Sequence, residues 1–197
     1  MPTPRQWAAK GKVRRVTRWN EPVMHGPTRP VTEFGDELHQ LIADMFATME
    51  RAEGVGLAAP QVAVDLSLFI YHCPDDSDRL RHGVVCNPVV TLPEGNDRRL
   101  DSTEEGCLSW PGSYQPLARP DRAICEGVDE NGEPVRIEAT GLLARCVQHE
   151  TDHLSGTVFG DRLSTRSRRL LDQQKRQAAH LYPDDWPISP KGTQSAM

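Results

Sequence analysis

Paired cysteine spacing is absent from this chain. Its five cysteines, Cys73, Cys86, Cys107, Cys125 and Cys146, are odd in number, scattered, and nowhere arranged as C-x-x-C. That argues against a disulfide framework and fits a reducing, cytoplasmic setting. There a lone cysteine is a small buried hydrophobe, a metal ligand or a nucleophile. No apolar run is long enough to span a bilayer and no h-region of a secretory signal is visible, so no membrane partner is expected. The formal net charge of -5 denies the chain the basic field that specific nucleic-acid binding would use. Also missing is βαβ alternation, which argues against a doubly wound parallel sheet. What remains, in 197 residues with 37% hydrophobic content, fits one globular domain with ragged ends.

Residues 1–21 read as a basic N-terminal extension, because Arg5, Lys10, Lys12, Arg14, Arg15 and Arg18 all precede the first acid, Glu21. Such a leader is either an organelle transit peptide or a solvated extension resting on something anionic, such as ribosomal RNA. Only Thr3 and Thr17 supply hydroxyls, which favours the solvated extension. Residues 22–182 are expected to hold the single domain, and 183–197, with three prolines, a loose tail.

Within the domain, Pro22 to Pro30 forbids regular structure. Asp36 offers a cap to an amphipathic helix whose stripe is Leu38, Leu41, Ile42, Met45, Phe46 and Met49, ending near Ala52. Leu66 to Tyr71 and Val84 to Val90 read as strands separated by a polar loop from Pro74 to His82. Arg122 to Val128 and Val135 to Thr140 flank an Asn131-Gly132 hairpin turn. Gly141 then opens a second helix, and Ser164 caps a charged third one through about Leu181. The class is α+β, with mostly antiparallel sheet around a central metal-binding helix.

The chemistry centres on His149-Glu150-Thr151-Asp152-His153. On a helix, positions four apart share a face, so both imidazoles can reach one ion while Glu150 stands beside it, placed to take a proton from water. A divalent ion then needs a third ligand from elsewhere. No glutamate follows Glu150, and neither the thermolysin-like ligand nor the metzincin third histidine is present. Upstream, Cys107 sits between Gly106 and Leu108 in a strand-like stretch.

Three segments, Gly54-Val55-Gly56-Leu57-Ala58-Ala59-Pro60-Gln61, Glu105-Gly106-Cys107-Leu108-Ser109 and Gln148-His149-Glu150-Thr151-Asp152-His153, resemble in that order the three motifs of peptide deformylases. The resemblance spans roughly Val23 to Gln174. It implies hydrolysis of N-formyl-methionyl nascent chains to formate and a free amino terminus. It further implies that Cys107, His149 and His153 hold one divalent metal, Fe(II) in the family's common form, with Zn or Ni able to occupy the site. Cys-His-His ligation alone does not choose among them. Glu150 is then the general base, and the Gln61 amide with the Leu108 backbone N–H stabilises the developing oxyanion. Gly56 is a main-chain partner of the peptide, and Val55, Leu142 and Cys146 help line the methionine pocket. Glu105 pairs with Arg119 and steadies the cysteine loop. Ribosome association is a further implication.

Two alternatives stand beside this reading. A zincin-like endopeptidase lacks its downstream ligand here, and a structural zinc module would need Cys146 or Cys125 as a fourth protein ligand. Two departures from the family pattern concern the substrate side. Many relatives carry an arginine shortly after the cysteine motif, where this chain reads Trp110-Pro111-Gly112-Ser113-Tyr114, so Tyr114 is expected to replace its substrate contact. Arg145 stands where an aliphatic residue often faces the pocket mouth.

Overall fold

A computed structural model describes residues 1–193. In chain order its regular elements are α1 (Pro4–Ala8), α2 (Asp36–Arg51), β1 (Gly56–Ala58), β2 (Leu68–Pro74), β3 (Leu80–Thr91), β4 (Leu100–Asp101), β5 (Glu104–Gly106), β6 (Tyr114–Pro116), β7 (Arg119–Pro120), β8 (Arg122–Val128), β9 (Pro134–Thr140), α3 (Gly141–Leu154) and α4 (Thr165–Ala178). Five strands form one antiparallel sheet in the order β1-β2-β3-β8-β9, and β4 pairs with β7 and β5 with β6 in two small ribbons. The fold is the α+β class the sequence implies.

Strand alternation divides the core. Leu68, Ile70, Val84 and Cys86 share one cluster with Ile42, Met45, Phe46 and Met49 of α2. The intervening residues Phe69, Tyr71, Cys73 and Val85 share the other with Leu143, Ala144, Cys146 and Val147 of α3. With a side-chain period of two, neighbours in a strand face opposite sides, so the sheet is sandwiched between these helices. On the far side of α3 the Gln148 amide donates to the Pro120 carbonyl at 2.9 Å. The helix is thus buried nearly all round, which is why so many of its polar side chains are found inside.

Several local expectations change. The strand pair around residue 77 is longer than its hydrophobic runs: β2 and β3 pair from Leu68↔Cys86 to Pro74↔Leu80, so Pro74, Leu80, Arg81 and His82 of the expected polar loop are ladder and only residues 75–79 turn. Backbone pairing continues wherever partners align, whatever the side chains' polarity. Asp36 does not cap α2. It is the first helical residue, Gly35 is the N-cap, and the acid instead complements the positive end of the helix dipole. Asn131-Gly132 does turn the β8–β9 hairpin, with Gly132 at φ +83° and the Asp129 carboxylate accepting from the Asn131 and Glu133 N–H groups at 2.8 and 3.0 Å.

The chain ends depart further. The basic leader is not a solvated extension. Trp7 is buried and stacks near Phe46 with ring centroids 6.4 Å apart, and Val16 and Thr17 are fully buried. Asp44 of α2 accepts from the Lys12 N–H at 2.8 Å and from the Arg14 guanidinium at 2.8 and 2.9 Å. Nor is the segment after Pro183 loose up to the last described residue. Trp186 is buried, its carbonyl accepts from the Val16 N–H at 2.9 Å, and the Arg51 guanidinium donates to the Pro187 carbonyl at 3.3 Å. Aromatic burial offsets the composition bias in both segments.

Candidate active site

α3 brings His149 and His153 to one face with their Nε2 atoms 3.2 Å apart. The Cys107 sulfur, on the loop leaving β5, lies 3.3 Å from His153 Nε2. All three ligand atoms lie within 4.8 Å of one another and all three residues are buried. A tetrahedral ion with Zn–N and Zn–S bonds of ordinary length would separate its ligand atoms by about 3.4–3.6 Å, so the observed spacings fit a single small cation. The hydrogen bonding agrees. His149 Nδ1 is 2.7 Å from Glu105 Oε1, a pairing that leaves Nε2 facing the cluster as the atom that can bind a cation.

Glu105 is the hub behind this cluster. Its carboxylate accepts from Arg119 Nε and Nη2 at 2.7 Å each and from Arg145 Nη1 at 2.8 Å. Arg119 also reaches Asp152 at 3.0 Å, Asp152 binds Arg162, and Arg145 reaches the Asp101 carboxylate at 3.2 Å. Three arginines balance three carboxylates, which is how so much charge can leave water. Burial works against ionisation of Glu105, but Arg119 and His149 outweigh it and hold its carboxyl well below the usual range. Glu150 is the reverse case. Burial, only partly offset by the positive charge of His149 and Arg119, pushes its carboxyl up to about 7, and its Oε2 is buried without a partner among the described residues.

The Gln61 carboxamide is oriented from behind. Its Oε1 accepts from the Ala58 N–H at 2.9 Å, which turns Nε2 toward Ser109 Oγ at 3.3 Å and the Cys107 sulfur at 3.7 Å. Gly56 is required by space, since an added Cβ would sit 2.4 Å from Glu150 Oε1 and 2.6 Å from Cys146 Sγ. Val55, Gly56, Gln61, Glu105, Cys107, Leu108, Leu142, Cys146, His149 and Glu150 all line one cavity of about 480 Å³, of ligand-binding size. Arg119 and His153 stand behind it.

Arg145 corrects the expectation made for it. It borders the cavity, but its guanidinium is buried against Glu105, Asp101 and the Leu117 carbonyl and does not stand free at the mouth. Tyr114 is exposed and does line the cavity, resting over Gly106. Sequence reasoning missed Asp152 and Arg162 behind the site, and Tyr182, Trp186, Pro187, Pro190 and Lys191 along its outer wall. The spacing held a signal for Asp152, three residues after His149 on the same helix face. Aromatic residues in a polar tail were the signal for Tyr182 and Trp186.

Fold and site together define a candidate metal-dependent hydrolase, with a carboxylate and a fixed amide donor beside three converging ligands. The polypeptide deformylase family model matches residues 13–169. Peptide deformylase 1 of Streptomyces avermitilis is 51% identical over 175 residues, covering 88% of this chain and 81% of that protein. The peptide deformylase of Acidothermus cellulolyticus is 46% identical, covering 84% and 87%. Among solved structures, a peptide deformylase from Legionella pneumophila superposes with a TM-score of 0.72 at 38% identity over 85% of this chain and 98% of that one. Another from Ehrlichia chaffeensis gives 0.75 at 30% identity over 85% and 97%. The chain belongs to the polypeptide deformylase family. Its activity is that of the family: it removes the N-terminal formyl group from nascent polypeptides.

Proposed function

We propose that Cys107, His149 and His153 hold one divalent ion, Fe(II) in the cell with Zn or Ni able to replace it, and that Glu150 and Gln61 carry the proton and charge handling of deformylation. The observation that carries this is the convergence of one sulfur and two imidazole nitrogens, at spacings a tetrahedral ion would impose, at the back of the cavity that Glu150 and Gln61 line. When bound, the ion supplies Lewis acidity that makes water a nucleophile at neutral pH. Glu150 takes a proton from the attacking water and delivers it to the departing amine nitrogen. The Gln61 Nε2–H and the Leu108 N–H donate to the formyl oxygen as it gains charge. The substrate's main chain lies along Val55 and Gly56 at the free edge of β1, and the methionine side chain enters between Val55, Leu142 and Cys146.

Fe(II) with a thiolate ligand makes the enzyme oxygen-sensitive, because the ligand itself can be oxidised. Among the described residues no helix is long and apolar enough to cross a membrane; the cytoplasm is our proposed location. Recruitment to a ribosome through the leader would fall on Arg5, Lys10 and Lys12, which remain exposed, since Arg14 and Arg15 are engaged by Asp44 and Glu21. The test is formate release from formyl-Met-Ala-Ser and from its acetylated counterpart with anaerobically purified protein. Hydrolysis of the first alone is expected; internal cleavage of either would favour a peptidase. Glu150→Gln is expected to retain metal and lose at least about a hundredfold in kcat, and full turnover would exclude the proton-transfer role.

A further inference from the structure

The cavity is larger than the formyl group and methionine require, and its outer wall is built by residues beyond the matched stretch 13–169. Tyr182, Trp186, Pro187, Pro190 and Lys191 line it together with Tyr114 and Gly112. This wall is held rigidly. The Tyr182 ring meets the edge of Trp186 with centroids 5.2 Å apart at 87°, and the Lys191 ammonium stands 5.2 Å from its centroid. The loop at Gly112 lies so close that an added Cβ would come within 2.9 Å of the ring. Arg18 donates to the Pro183 carbonyl at 2.7 Å and Gly192 N–H to the Leu181 carbonyl at 2.8 Å, fixing both ends of the segment. On the β6 side, Tyr114 is anchored by its N–H donating to Gln174 Oε1 at 3.1 Å, and its ring, lying over Gly106, is 54% exposed.

A formylated amino terminus is the end of its chain, so a bound substrate can extend in only one direction. With the formyl group among Gln61, Cys107 and Glu150 and the methionine between Val55, Leu142 and Cys146, whatever reaches the outer wall belongs to the residues that follow. We infer that Tyr182, Pro187 and Pro190, with Tyr114, form a subsite for a side chain one or two positions after the methionine, and that it favours apolar and above all aromatic side chains. Two aromatic rings and two prolines offer flat apolar surface already ordered before binding, so a planar side chain gains contact without ordering the protein. The segment lies beyond the residues that the family model matches. The inference rests on the deformylase assignment for the direction in which the peptide runs.

Two series of formyl-Met-X-Ser and formyl-Met-Ala-X peptides, with X as Ala, Leu, Phe, Glu or Lys, test it. In one series kcat/KM for Phe should exceed that for Ala by about five- to tenfold, through KM with kcat little changed. Tyr114→Ala, at an exposed position, and Tyr182→Leu should each bring that ratio to within about twofold of unity. Binding of acetyl-Met-Ala-Phe and acetyl-Met-Phe-Ala against acetyl-Met-Ala-Ala, followed by calorimetry, should give the same order without turnover and so stands even if deformylation of the parent peptide fails. Equal kcat/KM for Phe and Ala in both series would overturn the subsite, as would variants that weaken every peptide in proportion.

Discussion

Glu105 borders the cavity but touches no substrate group in the proposed scheme, yet four groups depend on it: one histidine, two arginines and, through Arg119, Asp152. Replacing it by glutamine keeps the shape and removes the charge that two buried guanidiniums face. Glu105→Gln should weaken metal retention by about 10- to 100-fold and cost about 3–5 kcal/mol, measured by metal titration and by urea unfolding. Unchanged metal affinity would place Glu105 outside the site's support. Gly56→Ala should be milder in stability and severe in turnover, because its methyl group competes with the Glu150 carboxylate and the Cys146 sulfur for one space. A fall in kcat of about tenfold or more, with the metal content intact, is the expected result. At this scale much was legible. The helical repeat alone puts His149 and His153 on one face, and small residues on both sides of Leu57, closed by Pro60, suggest backbone that passes close to something else. Arg145 was not legible, because a residue one turn before His149 can face either the cavity or the ionic network, and only the folded position of Glu105 decides.

The stretch from Val16 to Trp19 acts as a clasp. The Val16 N–H donates to the Trp186 carbonyl at 2.9 Å, the Thr17 N–H to the Gln61 carbonyl at 2.8 Å, and the Trp19 N–H to the Ser109 carbonyl at 3.0 Å. Three segments around the cavity are thereby tied to one strand-like run. Trp19 also stacks on Trp110 at 4.3 Å, with the Arg168 guanidinium over both rings, which joins α4 to the cysteine loop. The clasp's other anchor is Asp44. Burial opposes its charge, but the Lys12 N–H, Arg14 and Gln40 outweigh it and its carboxyl is lowered. Because the folded value is the depressed one, this anchor's stabilisation is fully present above the unfolded aspartate value of about 3.9 and is lost as pH falls below it through the folded value. Asp44→Asn should therefore lower stability at neutral pH by about 2 kcal/mol, and the difference from wild type should shrink toward zero in strong acid. A pH-independent difference in urea midpoints would contradict the assignment. None of this was readable from the leader's composition. Its charges are real, but the partner of Arg14 lies on α2, 30 residues on, and that of Arg18 is the Pro183 carbonyl, 165 residues on, and buried Trp7 outweighs the polar bias around it.

Across the whole molecule, the class followed from what the chain repeats and omits: antiparallel strands, one Asn-Gly hairpin, no crossover helices. The strand order and the two small ribbons did not. The wall formed after Tyr182 did not follow, since its order comes from contacts with residues 16–18, Arg51 and Gly112 that no local pattern encodes. The cation site should matter at this scale too. Ligands from a loop and a buried helix meet at one point, so an ion bound a thousandfold above its dissociation constant adds about 4 kcal/mol. Removing it with a chelator should lower the melting midpoint by roughly ten degrees, with recovery on adding Zn or Ni. A midpoint that does not move would argue against the site being occupied in solution.

The clasp has a consequence for biogenesis. Val16 leaves the ribosome early and Trp186 late, and their hydrogen bond closes the rim of the cavity. The outer rim of the groove is therefore finished only after Trp186 has emerged and met Val16, whereas every ligand and proton-handling group is already made by then.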